Sequence, residues 1–484
     1  MSHRLAYSTF LLLLPLLAAA QAPVYQPFEV DSAATPRGGV SVLETYLRVN
    51  TRKPVMAQVA NVAGKVVVNA VVEPDGRVSS LSILRSLRPD CDREAIRVMR
   101  LFNAWKPAQK GGIAVRQAIS YPVSFAPNAP LRHEAGHFLT FYNADRQVVS
   151  DPAEAKHVLM VPLDTLTNVP TGDLRLCKVS KGQVGREISR FPLVRNQIEP
   201  QQPGDQPATQ VGHKQPDGDW IGTVYTLRTD GTLLSTEPAD RAAGQVIHYA
   251  RNGIVDQQEN LETHQLMSWF ANGQLRQIQT WEPADARAMT LGSHRVSTEW
   301  DSLGRLLVRQ GNGYVVRQQF IASPKNLGQQ TLLTEEGGYR DGQPDGVWKG
   351  QTADGSYRFE ERYEQGKCLG GTATSNGQTI TYDEADKKPE FEGGVRSMYS
   401  FLAQTIQYPA DAQRGGIMGR VFVSFTVCTD GSLCDFSVIR GVHPSLDQEA
   451  LRVVKQMNKR WKPGTQRGKP VRVKYNLPIS FMLG

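Results

Sequence analysis

The sequence is poor in cysteine and lacks the common catalytic loops. Its five cysteines among 484 residues show no spacing typical of a zinc finger. No P-loop, no dinucleotide-binding glycine fingerprint and no G-x-S-x-G motif occurs, so none of these signals points to an enzyme or to a cofactor. Beyond residue 20, no segment is apolar enough to span a bilayer, which takes about 20 residues. Glycine (43) and proline (29) are frequent instead, which favours many turns and argues against a helical bundle.

The N-terminus predicts export. His3 and Arg4 precede an apolar run, Phe10–Ala20, that ends in three small residues. A positive start, a short apolar core and a small-residue exit are typical of a secretory signal peptide, here residues 1–20. The alternative is an uncleaved N-terminus that anchors the protein in the inner membrane. The apolar run is short for a membrane span and contains a proline, which favours cleavage.

An exported chain meets oxidising conditions, where cysteines can pair. Because five is an odd number, at least one thiol stays free or pairs between chains. Cys428 and Cys434 flank Asp430 and Gly431. A hairpin loop centred on Gly431 would place the two cysteines opposite each other and allow a disulfide. A two-residue turn at Asp430 and Gly431 would offset them by one residue and forbid it.

The two ends of the chain are copies of each other. Short motifs recur at an offset of about 355 residues, which is too many matches at one spacing for chance. The matches include Gly38-Gly39-Val40 with Gly393-Gly394-Val395, Asp75-Gly76 with Asp430-Gly431, and Trp105-Lys106-Pro107 with Trp461-Lys462-Pro463. The sequence therefore predicts a duplicated domain, copy 1 (residues 37–126) and copy 2 (residues 390–484).

Each copy is predicted to be a small α+β unit with the order helix, strand, strand, helix, strand. The first strands alternate β-branched residues and are joined by Asp-Gly, which supplies the positive φ values that a tight hairpin turn needs. The second helix begins with acidic residues near the positive end of its dipole and stops at Trp-Lys-Pro. The predicted strands are Lys65–Val72, Val78–Leu84 and Val115–Phe125 in copy 1, and Arg420–Val427, Leu433–Ile439 and Val471–Phe481 in copy 2.

A set of linked motifs makes copy 2 similar to a known family. They are Gly393-Gly394, Tyr408-Pro409, Asp430-Gly431, Leu446-Asp447, Glu449-Ala450-Leu451-Arg452-Val453, Trp461-Lys462-Pro463-Gly464, Gly468-Lys469-Pro470-Val471, Pro478-Ile479 and Phe481. Together they resemble the TonB C-terminal domain. Copy 1 is more divergent, with Lys53-Pro54 in place of Tyr-Pro and Gly111–Val115 in place of the Gly-Lys-Pro-Val stretch.

The resemblance implies a periplasmic protein that binds the N-terminal box peptide of TonB-dependent receptors in the outer membrane. In this family the peptide is added as a strand to the exposed last strand of the domain, whose unpaired backbone groups are the binding site. Alternate residues of that strand are expected to pack in the core. By analogy the binding edge is Val471, Arg472, Val473, Lys474, Tyr475, Asn476 and Leu477.

A basic cluster precedes this strand in copy 2, in a chain of net charge +8. Basic surfaces favour anionic partners, but export argues against nucleic acid. The remaining interpretations are an acidic receptor segment, the cell wall, or simply a solvated basic face. For the protein as a whole, the cell wall or other periplasmic proteins are further possible partners. The cluster consists of Lys459, Arg460, Lys462, Arg467 and Lys469.

The middle of the chain is predicted to be mostly β. Residues 127–220 are expected to form a linker or β segment. Residues 221–389 repeat a theme of an aromatic residue, a glycine turn and polar alternation, clearest from Asp341 to Trp348. This region resembles the MORN repeat, whose short hairpins stack into an extended sheet and need neighbours for stability. We interpret it as a spacer or docking surface.

One segment matches a metalloprotease motif. The sequence HEAGH, from His133 to His137, fits H-E-x-x-H, which on a helix could bind zinc with Glu134 as general base and Glu154 or His157 as third ligand. However, the following FLTFY is typical of a strand. A single strand would place the two histidines about 13 Å apart, too far for one metal ion. A chance match is therefore the preferred interpretation, and a zinc hydrolase is the alternative.

The chain departs from an energy-transducing TonB in two respects. It shows neither an evident membrane anchor nor a long proline-rich spacer. We therefore expect peptide binding in support of outer-membrane transport, with a periplasmic scaffold that transmits no force as the alternative. Two copies of the binding domain would allow bivalent capture.

Overall fold

The computed structural model describes residues 22–128, 131–165, 167–198, 206–239, 244–282, 294–326 and 328–483. The predicted signal peptide, residues 1–20, lies outside these ranges. Within them the protein is mostly β, and the α-helices belong to the two end copies. No helix in the described ranges is both long and apolar enough to cross a membrane.

Copy 1 contains a helix, a hairpin, a second long helix and a last strand, with a short helix, α2, and two short strands, β5 and β6, that were not predicted. Two short strands and a 3-10 turn (Pro27–Glu29) precede it, and β7 is the strand around which its sheet is built, in the order β1-β7-β3-β4. The elements are β1 (Val24–Tyr25), β2 (Thr35–Pro36), α1 (Val40–Asn50), α2 (Val55–Val59), β3 (Gly64–Val72), β4 (Val78–Arg85), α3 (Pro89–Leu101), β5 (Trp105–Lys106), β6 (Ala108–Lys110) and β7 (Ile113–Phe125).

Residues 127–220, predicted as a linker or β segment, contain among their described residues a separate six-stranded antiparallel sheet. Its small core includes Leu139, Phe141 and Val158, all almost fully buried. Alternation of apolar and polar residues along these strands places the apolar side chains on one face. The strands are β8 (Arg132–Glu134), β9 (His137–Tyr142), β10 (Val148–Val149), β11 (His157–Val161), β12 (Leu174–Ser180) and β13 (Gln183–Phe191).

The centre of the molecule is an antiparallel meander; its described residues form sixteen strands, each paired with the next of them along the chain. It begins at Leu193, ahead of the predicted boundary at residue 221. Glycine turns join its strands; at Gly231 and Gly273, for example, φ is +80° and +88°. The strands are β14 (Leu193–Ile198), β15 (Ala208–Lys214), β16 (Trp220–Arg228), β17 (Leu233–Pro238), β18 (Gln245–Tyr249), β19 (Val255–Asn260), β20 (Gln265–Trp269), β21 (Leu275–Thr280), β22 (Arg295–Trp300), β23 (Leu306–Arg309), β24 (Asn312–Ala322), β25 (Gln330–Arg340), β26 (Gln343–Thr352), β27 (Tyr357–Glu364), β28 (Lys367–Ser375) and β29 (Gln378–Tyr382).

Copy 2 repeats the architecture of copy 1 at the other end of the chain. Its main sheet has three strands in the order β33-β32-β37. Short strands β30 and β31 lead into it and pair with β35 and β34. The elements are β30 (Asp386–Lys387), β31 (Glu390–Phe391), α4 (Gly394–Thr405), α5 (Ala410–Arg414), β32 (Gly419–Val427), β33 (Leu433–Arg440), α6 (Pro444–Gln456), β34 (Trp461–Lys462), β35 (Gly464–Gln466), β36 (Lys469–Val471) and β37 (Val473–Phe481).

The long helix of each copy is fixed to the preceding loop by the same ion pair. In copy 2, Glu449 on α6 pairs with Arg452 at 2.7 Å and accepts a hydrogen bond of 2.6 Å from the backbone amide of Gln407. In copy 1, Glu94 pairs with Arg97 at the same distance. It also accepts a hydrogen bond from the backbone amide of Arg52, the residue equivalent to Gln407. Glu449 therefore joins α6 to the loop between α4 and α5.

Copy 1 is packed against the turns of the large sheet. Tyr46 and Phe102 share one buried cluster with Trp269 and Ile254 of the sheet. At the turn residue Gly273, a Cβ atom would lie 3.0 Å from both the Phe102 and the Tyr46 ring. Because every substituent there would meet aromatic carbon, the fit at this turn depends on glycine.

Polar contacts fix the same interface. The side-chain oxygen of Asn50, which is 2% exposed, accepts a hydrogen bond of 2.7 Å from the amide of Val255. Arg52 donates to the carbonyl of Gly253 at 2.8 Å, and the amide of Asn103 donates to the carbonyl of Asn272 at 2.8 Å. Backbone groups at two turns of the sheet are thus hydrogen-bonded to copy 1.

Copy 2 contacts the far end of the sheet through a buried ion pair. Arg467 Nε donates to Glu361 Oε1 at 2.8 Å, and the Glu361 side chain is 1% exposed. The Tyr382 hydroxyl donates to the same carboxylate at 3.0 Å, and the guanidinium lies 3.4 Å from the centroid of the Phe359 ring. Burial alone would lower the pKa of Arg467, but the hydrogen bond and charge of Glu361 outweigh it, and the pKa is raised.

Candidate strand-binding edge

The last strand of copy 2 lies at the edge of its sheet. β37 pairs with β32 along its whole length, from Val427 opposite Val473 to Gly419 opposite Phe481. Among the described residues, no second strand pairs with its other side. An unpaired edge exposes a row of backbone N–H and C=O groups that an incoming strand can use.

Proline identifies which backbone groups face the open side. Pro478 has no amide hydrogen, and within sheets proline is tolerated where the amide position faces away from the paired neighbour. Backbone groups alternate in direction along an antiparallel strand. Lys474 and Asn476 therefore present their N–H and C=O groups to the same open side as Pro478.

The side chains of β37 alternate as predicted. Lys474 and Asn476 are exposed, whereas Leu477 is 1% exposed in the core of copy 2. The ring of Tyr475 lies 4.9 Å from that of Trp461, and burial raises the pKa of this tyrosine. The apolar side chains hold the strand against the core of copy 2. The backbone groups that point away from β32 stay accessible.

The strand is shorter than the sequence indicates. Val471 belongs to β36 and pairs with Gly464 of β35, and Arg472 lies between the two strands. The prediction of one continuous strand from Val471 is therefore wrong at its first two residues, because the chain first closes a separate hairpin. Of the seven predicted edge residues, Val473 to Leu477 lie on the edge strand itself.

The two cysteines of the hairpin lie beside the start of this edge. The turn is centred on Asp430, which places Cys434 opposite Thr426 rather than opposite Cys428. Both thiols are free in the structure. Burial, followed by the neighbouring Cys428 thiol, raises the pKa of Cys434 to about 12. Arg472 contacts the Cys434 sulfur at 3.4 Å. A disulfide between the two stays a prediction.

The basic cluster does not form one exposed face. Its three lysines, Lys459, Lys462 and Lys469, are exposed. Arg467 forms the buried pair with the large sheet described above, and Arg460 stacks over two phenylalanine rings at 4.8 and 4.9 Å. Both arginines are therefore used within the molecule, which leaves only the lysines to form a solvated patch.

The H-E-x-x-H segment forms a hairpin instead of a helix. Glu134 lies opposite His137, and His133 lies opposite Phe138, so the two histidines point to opposite faces of the strand pair. The His137 ring is 2.9 Å from the guanidinium of Arg175. Across the described ranges, no group of three or more His, Cys, Asp or Glu residues could hold a metal ion. The helical geometry that the zinc alternative requires is absent.

The equivalent edge of copy 1 differs from that of copy 2. There the unpaired side of β7 carries a short parallel strand, β1, with Val24 opposite Arg116 and Tyr25 opposite Gln117. Sequence reasoning missed this strand, because two residues next to prolines give almost no strand signal. The two copies therefore share a fold but differ at the edge that would bind a peptide.

Comparison with known proteins found one family and two solved structures that are similar to parts of this chain. The profile of the family described as Gram-negative bacterial TonB protein C-terminal matches residues 52–127 and 404–483. Two solution structures of the Helicobacter pylori TonB C-terminal domain also match. One has 29% identity, covers 19% of this chain and 80% of that chain, with a TM-score of 0.17. The other has 30% identity, covers 18% of this chain and 90% of that chain, with a TM-score of 0.16. A search of curated proteins gave no match.

The chain thus carries two TonB C-terminal domains, one at each end of a large sheet. Proteins of this family interact with outer-membrane receptors and are not enzymes. The matched regions fall within the predicted copies, residues 37–126 and 390–484, except for residue 127.

Proposed function

We propose that this protein is a periplasmic TonB-like protein that binds peptide segments of outer-membrane receptors on the edge of β37, in support of energy-coupled transport. The proposal rests on one observation. In the part of the chain that the structure describes, β37 pairs with a neighbouring strand on one side and is open on the other. A receptor box peptide would extend the three-stranded sheet of copy 2 by one strand, through its main chain.

The large sheet supports this function as a spacer and docking frame. It contacts copy 1 at its turns and copy 2 at its last strands, which are separate places on one meander. Its resemblance to MORN repeats and the cleavage of a signal peptide remain predictions.

The test removes one outward backbone amide. Asn476→Pro in the full chain eliminates an N–H on the open side of β37 while keeping the ladder to β32, because that ladder does not use this amide. We expect the affinity for a synthetic receptor box peptide, measured by fluorescence anisotropy, to fall about tenfold or more, since one main-chain hydrogen bond contributes about 0.5–1.5 kcal/mol and proline also clashes.

The matched control is Ser120→Pro, at the equivalent position of β7 in copy 1. It should leave binding of the same peptide unchanged. Equal affinity of wild type and Asn476→Pro would refute strand addition on β37. If the full chain retained peptidoglycan or soluble periplasmic proteins but no receptor from a solubilised outer membrane, the scaffold alternative would replace the transport proposal.

A further inference from the structure

We propose that residues 22–32 are a built-in strand ligand that occupies the start of the binding edge of copy 1, at Arg116 and Gln117, so that the intact chain captures a peptide on copy 2. This inference rests on the proposed function in one respect: it takes the last strand of each copy as the strand to which a peptide is added. It names the occupant of the first acceptor as a segment of this same chain.

The ladder between the segment and β7 is short but is reinforced at its beginning. Val24 and Tyr25 pair in parallel with Arg116 and Gln117. The Arg116 guanidinium also donates to the carbonyl of Ala22 at 3.0 Å, which fixes the residue before the strand. Backbone pairing of this kind is the same chemistry that a peptide ligand would use on an open edge.

Side chains hold the segment on both sides of that ladder. The Lys110 ammonium lies 4.1 Å from the centroid of the Tyr25 ring. Asp31 accepts a hydrogen bond of 2.6 Å from the amide of Gly111. Further along the chain, the side chain of Gln117, which is 1% exposed, accepts a hydrogen bond of 2.6 Å from the amide of Ala34. The segment is therefore held at both of its ends, at residues 22–25 and at residues 31–32.

In copy 2 the stretch equivalent to β1 belongs to the large sheet. At an offset of 355, Asp31 and Ser32 correspond to Asp386 and Lys387, and both stretches pair with the equivalent strand. Val24 and Tyr25 correspond to residues 379 and 380, which belong to β29 of the large sheet. Because the large sheet takes that segment, nothing within the described ranges covers the edge of β37.

This asymmetry makes the duplicated domain functionally unequal. In copy 1 the start of the acceptor edge, at Arg116 and Gln117, is occupied and the helices pack against the sheet turns, so this copy acts as a fixed base. Copy 2 keeps an open edge. On this proposal the intact chain would not capture two peptides, because a strand already pairs at the start of one of the two acceptor edges.

The experiment breaks the segment's ladder and then supplies the segment in trans. In the full chain, Val24→Pro with Tyr25→Pro removes the two amides of β1. We expect amide hydrogen exchange of residues 115–118 to speed up about tenfold or more relative to wild type. A synthetic peptide of residues 22–32 should restore the protection in the variant at one site per chain and leave wild type unchanged. Phe28→Ala, at an 86% exposed residue of the same segment, is the matched control and should behave as wild type.

Two outcomes would overturn the inference. The first is equal exchange of residues 115–118 in wild type and in the double-proline variant. The second is a variant in which these amides open but the peptide gives no protection, which would make the segment a structural strand and not a ligand. If the double-proline variant fails to fold, Lys110→Ala keeps the test decisive, because it must still accelerate exchange at these amides. No receptor peptide is used, so failure of receptor binding on β37 would be seen separately.

Discussion

Replacing Arg467 with alanine should detach copy 2 from the large sheet. The Glu361 carboxylate is 1% exposed, and Arg467 is its only cationic partner among the described residues. Without that partner a buried charge is left uncompensated, which costs about 3–5 kcal/mol in comparable cases. The hydroxyls of Tyr382 and Tyr363 still donate to Glu361, at 3.0 and 3.3 Å, so we expect the lower end, about 3 kcal/mol.

Amide hydrogen exchange of the full chain measures this loss where it occurs. A decrease of about 3 kcal/mol in local opening free energy corresponds to more than about a hundredfold faster exchange. The acceleration should be confined to peptides covering β27–β29 and β34–β36, and the core of copy 1 should exchange as in wild type. Arg472→Ala is a suitable control, because its partner Asp435 is exposed and the pair should contribute little.

A double variant separates charge burial from packing. Glu361→Gln combined with Arg467→Ala removes the orphaned charge, so it should recover a large part of the stability lost in the single variant. Exchange rates of Arg467→Ala within threefold of wild type would refute the reasoning. A double variant whose loss of stability exceeds the sum of the losses in the two single variants would also refute it.

Two further predictions concern the copies separately. Gly273→Ala should weaken the docking of copy 1 by about 1–3 kcal/mol more than Gly231→Ala, measured as the free energy of unfolding in urea. Both glycines have positive φ, but only a side chain at residue 273 would meet aromatic rings. Equal losses in the two variants would contradict the packing argument. Burial would raise the pKa of Glu449, but hydrogen bonds from Arg452 and Gln407 outweigh it, and the pKa is lowered. Copy 2 should therefore lose stability as pH falls below the unfolded value of about 4.3, and a Glu449→Gln variant with the same acid dependence as wild type would contradict this.

Much of the end domains could be predicted because their signals are local. Asp-Gly between two alternating stretches specifies a hairpin, and acidic residues before an apolar helical stripe specify a helix start. These signals occur twice at one spacing, which made the duplication visible. The open side of β37 also has a local sign, Pro478, because proline restricts a strand to the edge.

The contacts that position the copies have no local signal. Arg467 and Glu361 are 106 residues apart, and nothing near Arg467 distinguishes it from the lysines around it. The H-E-x-x-H match failed for the opposite reason: its spacing is correct, but the strand-forming residues after it override the helix. The capping strand β1 is only two residues long, below the length at which alternation can be recognised.

The meander has a consequence for how this protein can change in evolution. Copy 1 contacts turns between β18 and β23, and copy 2 contacts β27 to β29. Between these two places, the strands that the structure describes pair with their neighbours in sequence and with no other described strand. A hairpin could therefore be inserted or deleted there without disturbing either docking site, and the distance between the copies would change in steps of two strands. A single added strand would reverse the direction in which the chain enters copy 2, so only paired additions would preserve the orientation of its open edge.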